Sequence, residues 1–472
     1  MDCVAGKVLG WNLTKTGNGE VRKTIRSSGC YEIIELRSGE MLFVLSGLPR
    51  LSVQEAVLVR DFLEEFREAN SKKASHKMIE SVLLDFCSKK MIGLDEEQRD
   101  YILKALNLEV FGFGPLTELL QEESLEEIAV TGLGEEKPVR VYHNAFGWLK
   151  TNLYYSSELA VRNAANKMAR GIGRRLSLQA PKLNAVLPDG SRLNACMEPV
   201  SFLGPSLTIR KFRKKPFTPK ELFENKTVSA EALAFLSMAL QTDCSLVIAG
   251  NTGSGKTSTL NALFHFVPRN ERIIAVEETP EILLPHGHIV KLNTAEELGI
   301  GMHELIVESL RMRPDRIIVG EVRSQKELNA FIDTLLAGQG KGSYCTFHAQ
   351  SAQEALTRMQ KLSAHQMDLA SIDLILVQKR WNSIGKNRST STEQRRVVEL
   401  SEVIADSEGS PKLNCLFEFD YSKDSLVKKN ESSRVKEKIM RSFRFGAEEF
   451  QRQLNAEERK IKAKKAGDAP GN

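Results

Sequence analysis

At 472 residues, with 41% hydrophobic and 27% charged side chains, the chain has the make-up of a soluble globular protein of two or three domains. Its 66 Lys and Arg against 61 Asp and Glu leave a formal charge of +5, too mild to argue for nucleic acid yet compatible with an anionic membrane surface. The seven cysteines contain no C-x-x-C pair, no signal-peptide core opens the chain and no stretch reaches the roughly 18 apolar residues of a span; a disulfide framework, a zinc module and a transmembrane protein are thereby excluded, and reduced thiols in a cytoplasmic, at most peripheral, protein are expected.

Residues 1–50 are Gly-rich with short β-like pieces, YEIIEL and MLFVLSG. From Ser52 to about Leu108 the apolar residues recur at three- and four-residue spacing, as in VQEAVLVRDFLEEF, which predicts helices. FGFGPL, at Phe111–Leu116, punctuates the chain. A small α+β domain is expected next. LEEIAV, VRVYHN and GWLKT read as strands, SSELAVRNAANKMARGI as an amphipathic helix, and the D-G step in LPDGSRLNA as a hairpin turn. The basic run IRKFRKKPFTP, Ile209–Pro219, leads into a second domain.

From Val228 strands and helices alternate. SLVIA, RIIAV, HIVKL, RIIVG and SYCTF are the predicted strands, and TSTLNALFHFV, MHELIVESLRM and SQKELNAFIDTLLAG the helices between them. Ser324 with Glu327, and Ser351 with Glu354, have the spacing of capping boxes. Apolar strands separated by helices predict a parallel sheet covered on both faces. After Asn382 the chain turns polar (GKNRSTSTEQRR), gives two more strands, VVELSEVI and LNCLFEFD, and ends in a basic helix-like tail expected to fray. The fold class expected is α/β: a RecA-like domain with a mainly parallel sheet, preceded by a smaller α+β domain. The division is 1–110 accessory, 111–213 α+β, 214–219 linker, 220–381 RecA-like, and 382–472 carboxyl-terminal strands, helix and tail.

Gly250–Thr257 reads GNTGSGKT, a complete G-x-x-x-x-G-K-[ST] loop between a predicted strand and a predicted helix. Backbone N–H groups of Gly250, Asn251, Thr252, Gly253, Ser254, Gly255, Lys256, Thr257 and Ser258 can converge on phosphate oxygens, helped by the positive end of the helix. Lys256 supplies a mobile cation and Thr257 a hydroxyl for Mg²⁺, so ATP and Mg²⁺ are the expected ligands. AVEETPEI (275–282) places Glu277, Glu278 and Glu281 at a strand end, where their mutual repulsion does nothing for the strand. RIIVGE (316–321) ends a second apolar strand on Glu321, the geometry of a Walker B acid.

GNTGSGKT, AVEETPE, LRMRPDRIIVGEVR and CTFHA, in this order and spacing, resemble the secretion and pilus-assembly ATPase superfamily, whose members power type II and type IV secretion, type IV pili and the archaeal pilus and archaellum. LRMRPDRIIVGEVR looks like the branch of archaeal motors and their bacterial relatives, and the likeness runs from about Phe111 to Trp381. It implies that Glu277 orients the attacking water, that Glu278 and Glu281 shape the network around it, and that Glu321 acts on the metal. The family has Asp where this chain has Glu278, so the choice of base among Glu277, Glu278 and Glu321 stays open. The resemblance also implies that His348 senses the γ-phosphate and that Arg192 and Arg210, with Arg213, supply transition-state charge. Arg311, Arg313, Arg316 and Arg323 flank the second strand, divided between ion pairing and nucleotide contact. A homohexamer is implied, docked in the cytoplasm at the inner face of a membrane on an integral platform protein, with no nucleic-acid partner. The competing readings are a DNA-directed P-loop motor and a nucleotide-binding scaffold without turnover.

Overall fold

The computed structural model describes residues 9–14, 20–69, 75–212, 215–295, 298–338, 340–363, 365–384 and 391–463. The chain divides into two compact units, Met1–Arg213 and Lys214–Asn472. Among the described residues no helix is long and apolar enough to cross a membrane.

In the first unit nine strands form one sheet, in the order Val21–Ser27, Tyr31–Leu36, Met41–Leu45, Gly147–Thr151, Arg140–His143, Leu125–Val130, Ser206–Arg210, Arg192–Cys196, Lys182–Val186. Met41–Leu45 runs parallel to Gly147–Thr151, so the amino-terminal β pieces extend the sheet of the later α+β segment. The helix Glu158–Ala169 buries Val161, Ala165 and Met168 in this unit's main core. Three helices, Val53–Ala69, His76–Lys90 and Glu96–Val110, collect a separate cluster around Phe62, Ile79, Leu83, Phe86 and Ile102. The third starts at a reciprocal cap: Asp95 accepts the Gln98 N–H while the Gln98 side chain accepts that of Asp95. The predicted D-G turn forms, with Gly190 at φ +88° and the Ser191 N–H bound to Asp189 Oδ1 at 3.0 Å.

The second unit is built on another nine-stranded sheet, ordered Ile289–Asn293, Ile273–Glu277, Arg316–Val322, Ser343–Phe347, Leu246–Gly250, Leu374–Ile384, Ser391–Ala405, Pro411–Asp420, Ser425–Lys428. The first six strands are parallel and the remainder antiparallel. Leu246–Gly250, Ile273–Glu277 and Ser343–Phe347 are buried at every position, as strands sandwiched between helices must be. Each fully buried Leu, Ile or Val there contributes about 1.5–3 kcal/mol, which fixes the strand ends from which the polar loops depart.

Three expectations need correction. The strand Leu374–Ile384 is an additional parallel neighbour of Leu246–Gly250, and its polar second half hides it from a search for apolar runs. Part of the polar run 385–396 is strand as well, since Ser391–Ala405 begins at 391; ladder pairing to Leu374–Ile384 overrides the weak local propensity. Ser324 and Glu327 form the expected reciprocal cap. Ser351 accepts the Glu354 N–H at 3.0 Å, but the Glu354 carboxylate takes the N–H of Gln350, one residue early. The basic tail 464–472 lies outside the described residues.

Candidate active site

The phosphate loop leaves the sheet at Gly250, whose missing side chain is required: a Cβ there would collide with the carbonyl of Gln378 on the adjacent strand. Gly253 and Gly255 turn the chain in the left-handed region, φ +72° and +95°, and Gly255 caps the helix Lys256–Leu263. The loop therefore presents its N–H groups at a helix amino terminus, the arrangement that receives phosphate. Lys256 is buried, its Nζ donating to the carbonyls of Gly250 (3.1 Å) and Asn251 (3.3 Å). Burial lowers its pKa, against the pull of Glu321 and Glu281. Ser254 Oγ is buried with no partner among the described residues. An ammonium held by loop carbonyls, a glycine cradle and an orphan hydroxyl together fit a polyphosphate. Thr257 sits in the first turn of the helix, and its hydroxyl is the hard oxygen donor that Mg²⁺ prefers.

Glu277 ends the strand Ile273–Glu277 and is only 3% exposed. Its Oε1 accepts the N–H groups of Glu281 (2.7 Å) and Ile282 (2.9 Å), closing the turn that follows, while Oε2 is buried without a partner among the described residues. Burial raises its pKa to about 7, and the two N–H groups hold that rise back. Gly320 makes room for this acid, since a Cβ on it would lie 3.3 Å from the Glu277 Cγ. Between Val319 and Val322 the ladder to Ser343–Phe347 shifts register, and Glu321 projects from that irregularity. The departure from an ordinary Walker B ending thus has a local cause: the glycine admits Glu277 and the bulge re-aims Glu321.

Glu321 Oε1 pairs with His348 Nε2 at 2.6 Å, and its Oε2 accepts Arg323 Nε at 2.7 Å. Arg323 Nη1 also reaches both carboxylate oxygens of Glu278, each at 2.7 Å. One guanidinium therefore bridges Glu278 and Glu321. Burial tends to lower the Arg323 pKa, but Glu321 and Glu278 outweigh it and the net change is upward. For His348, burial and then Lys256 depress the pKa against the pull of Glu321 and of a hydrogen bond to the Gly250 backbone. Among the described residues no group of three or more His, Cys, Asp or Glu is arranged as a metal cage. Magnesium needs none, because it is commonly held through one or two protein oxygens, substrate phosphates and water.

The other arginines sort clearly. Arg316 is fully buried, donating to Glu271 at 2.7 Å and to the Thr242 carbonyl at 2.9 Å, with Tyr344 alongside; it is a core ion pair. Arg311 is exposed beside Glu308, and Arg313 occupies a left-handed position at φ +51°. Arg192 and Arg210 belong to the first unit, where they face each other across the ladder. Arg213 lies outside the described residues. Sequence reasoning missed Gln378, Arg380 and Arg395, which sit against the phosphate loop from the strands Leu374–Ile384 and Ser391–Ala405. The only signal was the apolar run LILV just before Gln378, the start of a strand that sequence reasoning did not recognise.

The family described as type II/IV secretion system protein matches residues 112–457. An uncharacterized protein of Methanocaldococcus jannaschii is 34% identical over 312 residues, 63% of this chain and 55% of its own length. A second from that organism is 32% identical over 319 residues, 65% of this chain and 43% of its own. The chain thus spans about half the length of these two curated relatives. The type IV secretion system protein VirB11 of Bartonella quintana is 29% identical over 284 residues, 52% of this chain and 78% of its own. Among solved structures, the ATPase DotB of Yersinia pseudotuberculosis aligns over 83% of this chain and 88% of its own, at 13% identity and a TM-score of 0.46. The family match covers well over half of the sequence and contains the phosphate loop, Glu277, Glu321 and His348: the chain belongs to the type II/IV secretion system protein family.

Proposed function

We propose that this chain is the ATP-hydrolysing subunit of a motor that drives assembly of a type IV pilus-like or archaellum-like filament, or protein secretion across a membrane. The observation that carries the reading is the convergence of Lys256, Glu321, His348 and Arg323 in one electrostatic neighbourhood, within a member of this family. Likeness to VirB11 supports the secretion side of the proposal.

In this reading the N–H groups of Gly250–Ser258 and the Lys256 ammonium hold the phosphates. Thr257 would hold Mg²⁺, with Glu321 acting on its water shell; the ion supplies charge neutralisation on the phosphate oxygens. Glu277, held by two backbone N–H groups and titrating near neutrality, accepts a proton from the attacking water. Glu278 and Glu281 shape the surrounding network, and His348 reports on the phosphates through Glu321. Arg192 and Arg210 keep the transition-state role that the resemblance implies. The assembly proposed is a homohexamer on the cytoplasmic side of a membrane, docked on an integral platform protein.

The test is ATP turnover and nucleotide affinity of the wild type and Lys256→Ala. Turnover by the wild type, with both binding and turnover lost in the variant, is the expected result. Wild-type binding without hydrolysis, also in the presence of membranes carrying the platform protein, would refute the motor reading.

A further inference from the structure

The strand Leu374–Ile384 runs parallel to Leu246–Gly250 with Gln378 opposite Gly250, so it continues past the point where the phosphate loop leaves the sheet. Its next residues grip that loop. Gln378 Oε1 accepts the hydroxyl of Thr259 at 2.7 Å in a buried contact. The backbone of Arg380 is bound twice by the loop's Asn251 side chain: its N–H donates to Oδ1 (3.1 Å) and its carbonyl accepts from Nδ2 (3.2 Å). The Arg380 guanidinium lies so close to the loop that a Cβ on Gly253 would be 2.8 Å from Nη1. On the facing strand Arg395 occupies the position directly opposite Arg380. Both reach the carboxylate of Glu393, Arg395 at 2.8 Å and Arg380 at 3.6 Å.

Like charges directly opposite on one sheet face destabilise it. Glu393, within reach of both guanidiniums, offsets part of that repulsion, and the loop is left flanked by two arginines and one carboxylate. Two guanidiniums beside a loop that collects phosphate oxygens offset the remainder when the ligand is a polyanion.

We propose that Arg380, paired with Arg395, is a positioning residue for the nucleotide's phosphates: it holds the loop around Gly253 in its receiving form and raises the positive potential there, while Glu393 restrains that potential. The proposal rests on reading Gly250–Thr257 as a nucleotide loop. It predicts opposite effects from the two charges. In the full chain, titrated with mant-ADP and Mg²⁺, Arg380→Ala weakens affinity about tenfold, the loss of one charge-assisted contact. Glu393→Gln tightens it by about threefold, because a screening charge is removed. Arg380→Lys falls between Arg380→Ala and wild type. Melting temperatures without nucleotide accompany each titration. Unchanged affinity in Arg380→Ala overturns the proposal, and so does weaker binding by Glu393→Gln in step with a lower melting temperature, which marks the cluster as hairpin glue. Failure of the wild type to bind mant-ADP overturns the nucleotide-loop reading itself. If Arg380→Ala does not fold, the tightening by Glu393→Gln still decides.

Discussion

Replacing Glu277 by Gln tests the chemistry and the electrostatics of the site in one variant. The native acid is 3% exposed, with one oxygen bound by two N–H groups and the other unpartnered among the described residues. Burial lifts its pKa from the ordinary 4.5 to about 7. That rise corresponds to roughly 3 kcal/mol against ionisation, an upper bound because water entry relieves part of it. A folded pKa above the unfolded one means that the acid's contribution to stability is complete below pH 4.5 and is lost as pH climbs through 7. Gln keeps the accepting oxygen and never ionises, so its stability has no such slope. Near pH 5 the two proteins should melt close together; at pH 8.5 the variant should melt higher, by at most about 6–12 °C at 2–4 °C per kcal/mol for a unit of this size. Catalysis should move the other way. If Glu277 takes the proton from water, wild-type turnover rises with an apparent pKa near 7, and the variant loses about 10²–10⁴ in rate with ADP affinity retained. Differential scanning fluorimetry from pH 5 to 8.5 and a coupled ATPase assay measure both effects. Wild-type turnover in the variant would remove Glu277 as the base and pass the role to Glu278 or Glu321. A variant that melts no higher than wild type at pH 8.5 would show that the carboxylate is not held in a poorly solvating site.

The arginines around the second acidic strand should separate into structural and functional groups. Arg316→Met leaves Glu271 without its buried partner and should cost about 3–5 kcal/mol in urea unfolding; a loss under about 1 kcal/mol would mean that Lys341, 2.9 Å from the same carboxylate, suffices. Arg323→Ala removes the cation shared by Glu278 and Glu321 in a half-exposed cluster, so stability should change by less than about 1 kcal/mol while turnover falls about tenfold or more. Normal turnover with a melting temperature several degrees lower would make Arg323 a structural residue.

How much of this was readable beforehand follows from the distance along the chain between interacting groups. Glycine spacing, the lysine and the following hydroxyl of the phosphate loop occupy eight consecutive residues, and the strand and helix flanking it are continuous patterns. The parallel strands were equally plain, because burial on both faces demands uninterrupted apolar runs such as LVIAG and IIAV. The strand Leu374–Ile384 was overlooked for the converse reason. Its first four residues are apolar, but beyond Val377, still paired to Ser391–Ala405, it carries Gln378 and Arg380 against the loop. A residue placed to touch phosphate chemistry cannot also advertise a buried strand.

The acids and arginines show the same limit more sharply. Glu277, Glu278 and Glu321 could be singled out because each ends or follows an apolar strand and has no packing reason to be there. Their division of labour could not, since it depends on which partner each carboxylate finds in the fold: Glu277 the backbone of its own turn, Glu321 His348 and Arg323, and Glu278 Arg323, 45 residues on. Arg323 reaches back to Glu278, and Arg316, seven residues earlier, reaches Glu271 in the core. Arg316 opens the strand Arg316–Val322 and Arg323 follows its last residue, yet one is fully buried and the other half exposed. Burial, which the local sequence does not encode, decides the difference. At ε near 20 two like charges 4 Å apart repel by about 4 kcal/mol, so an acid cluster at strand ends persists only if something neutralises it. Arg323 does so for Glu278 and Glu321, whereas Glu277 escapes by titrating near neutrality. Any event that draws Arg323 toward a phosphate would therefore free two carboxylates at once, and that coupling is why its replacement should be felt in turnover before it is felt in stability.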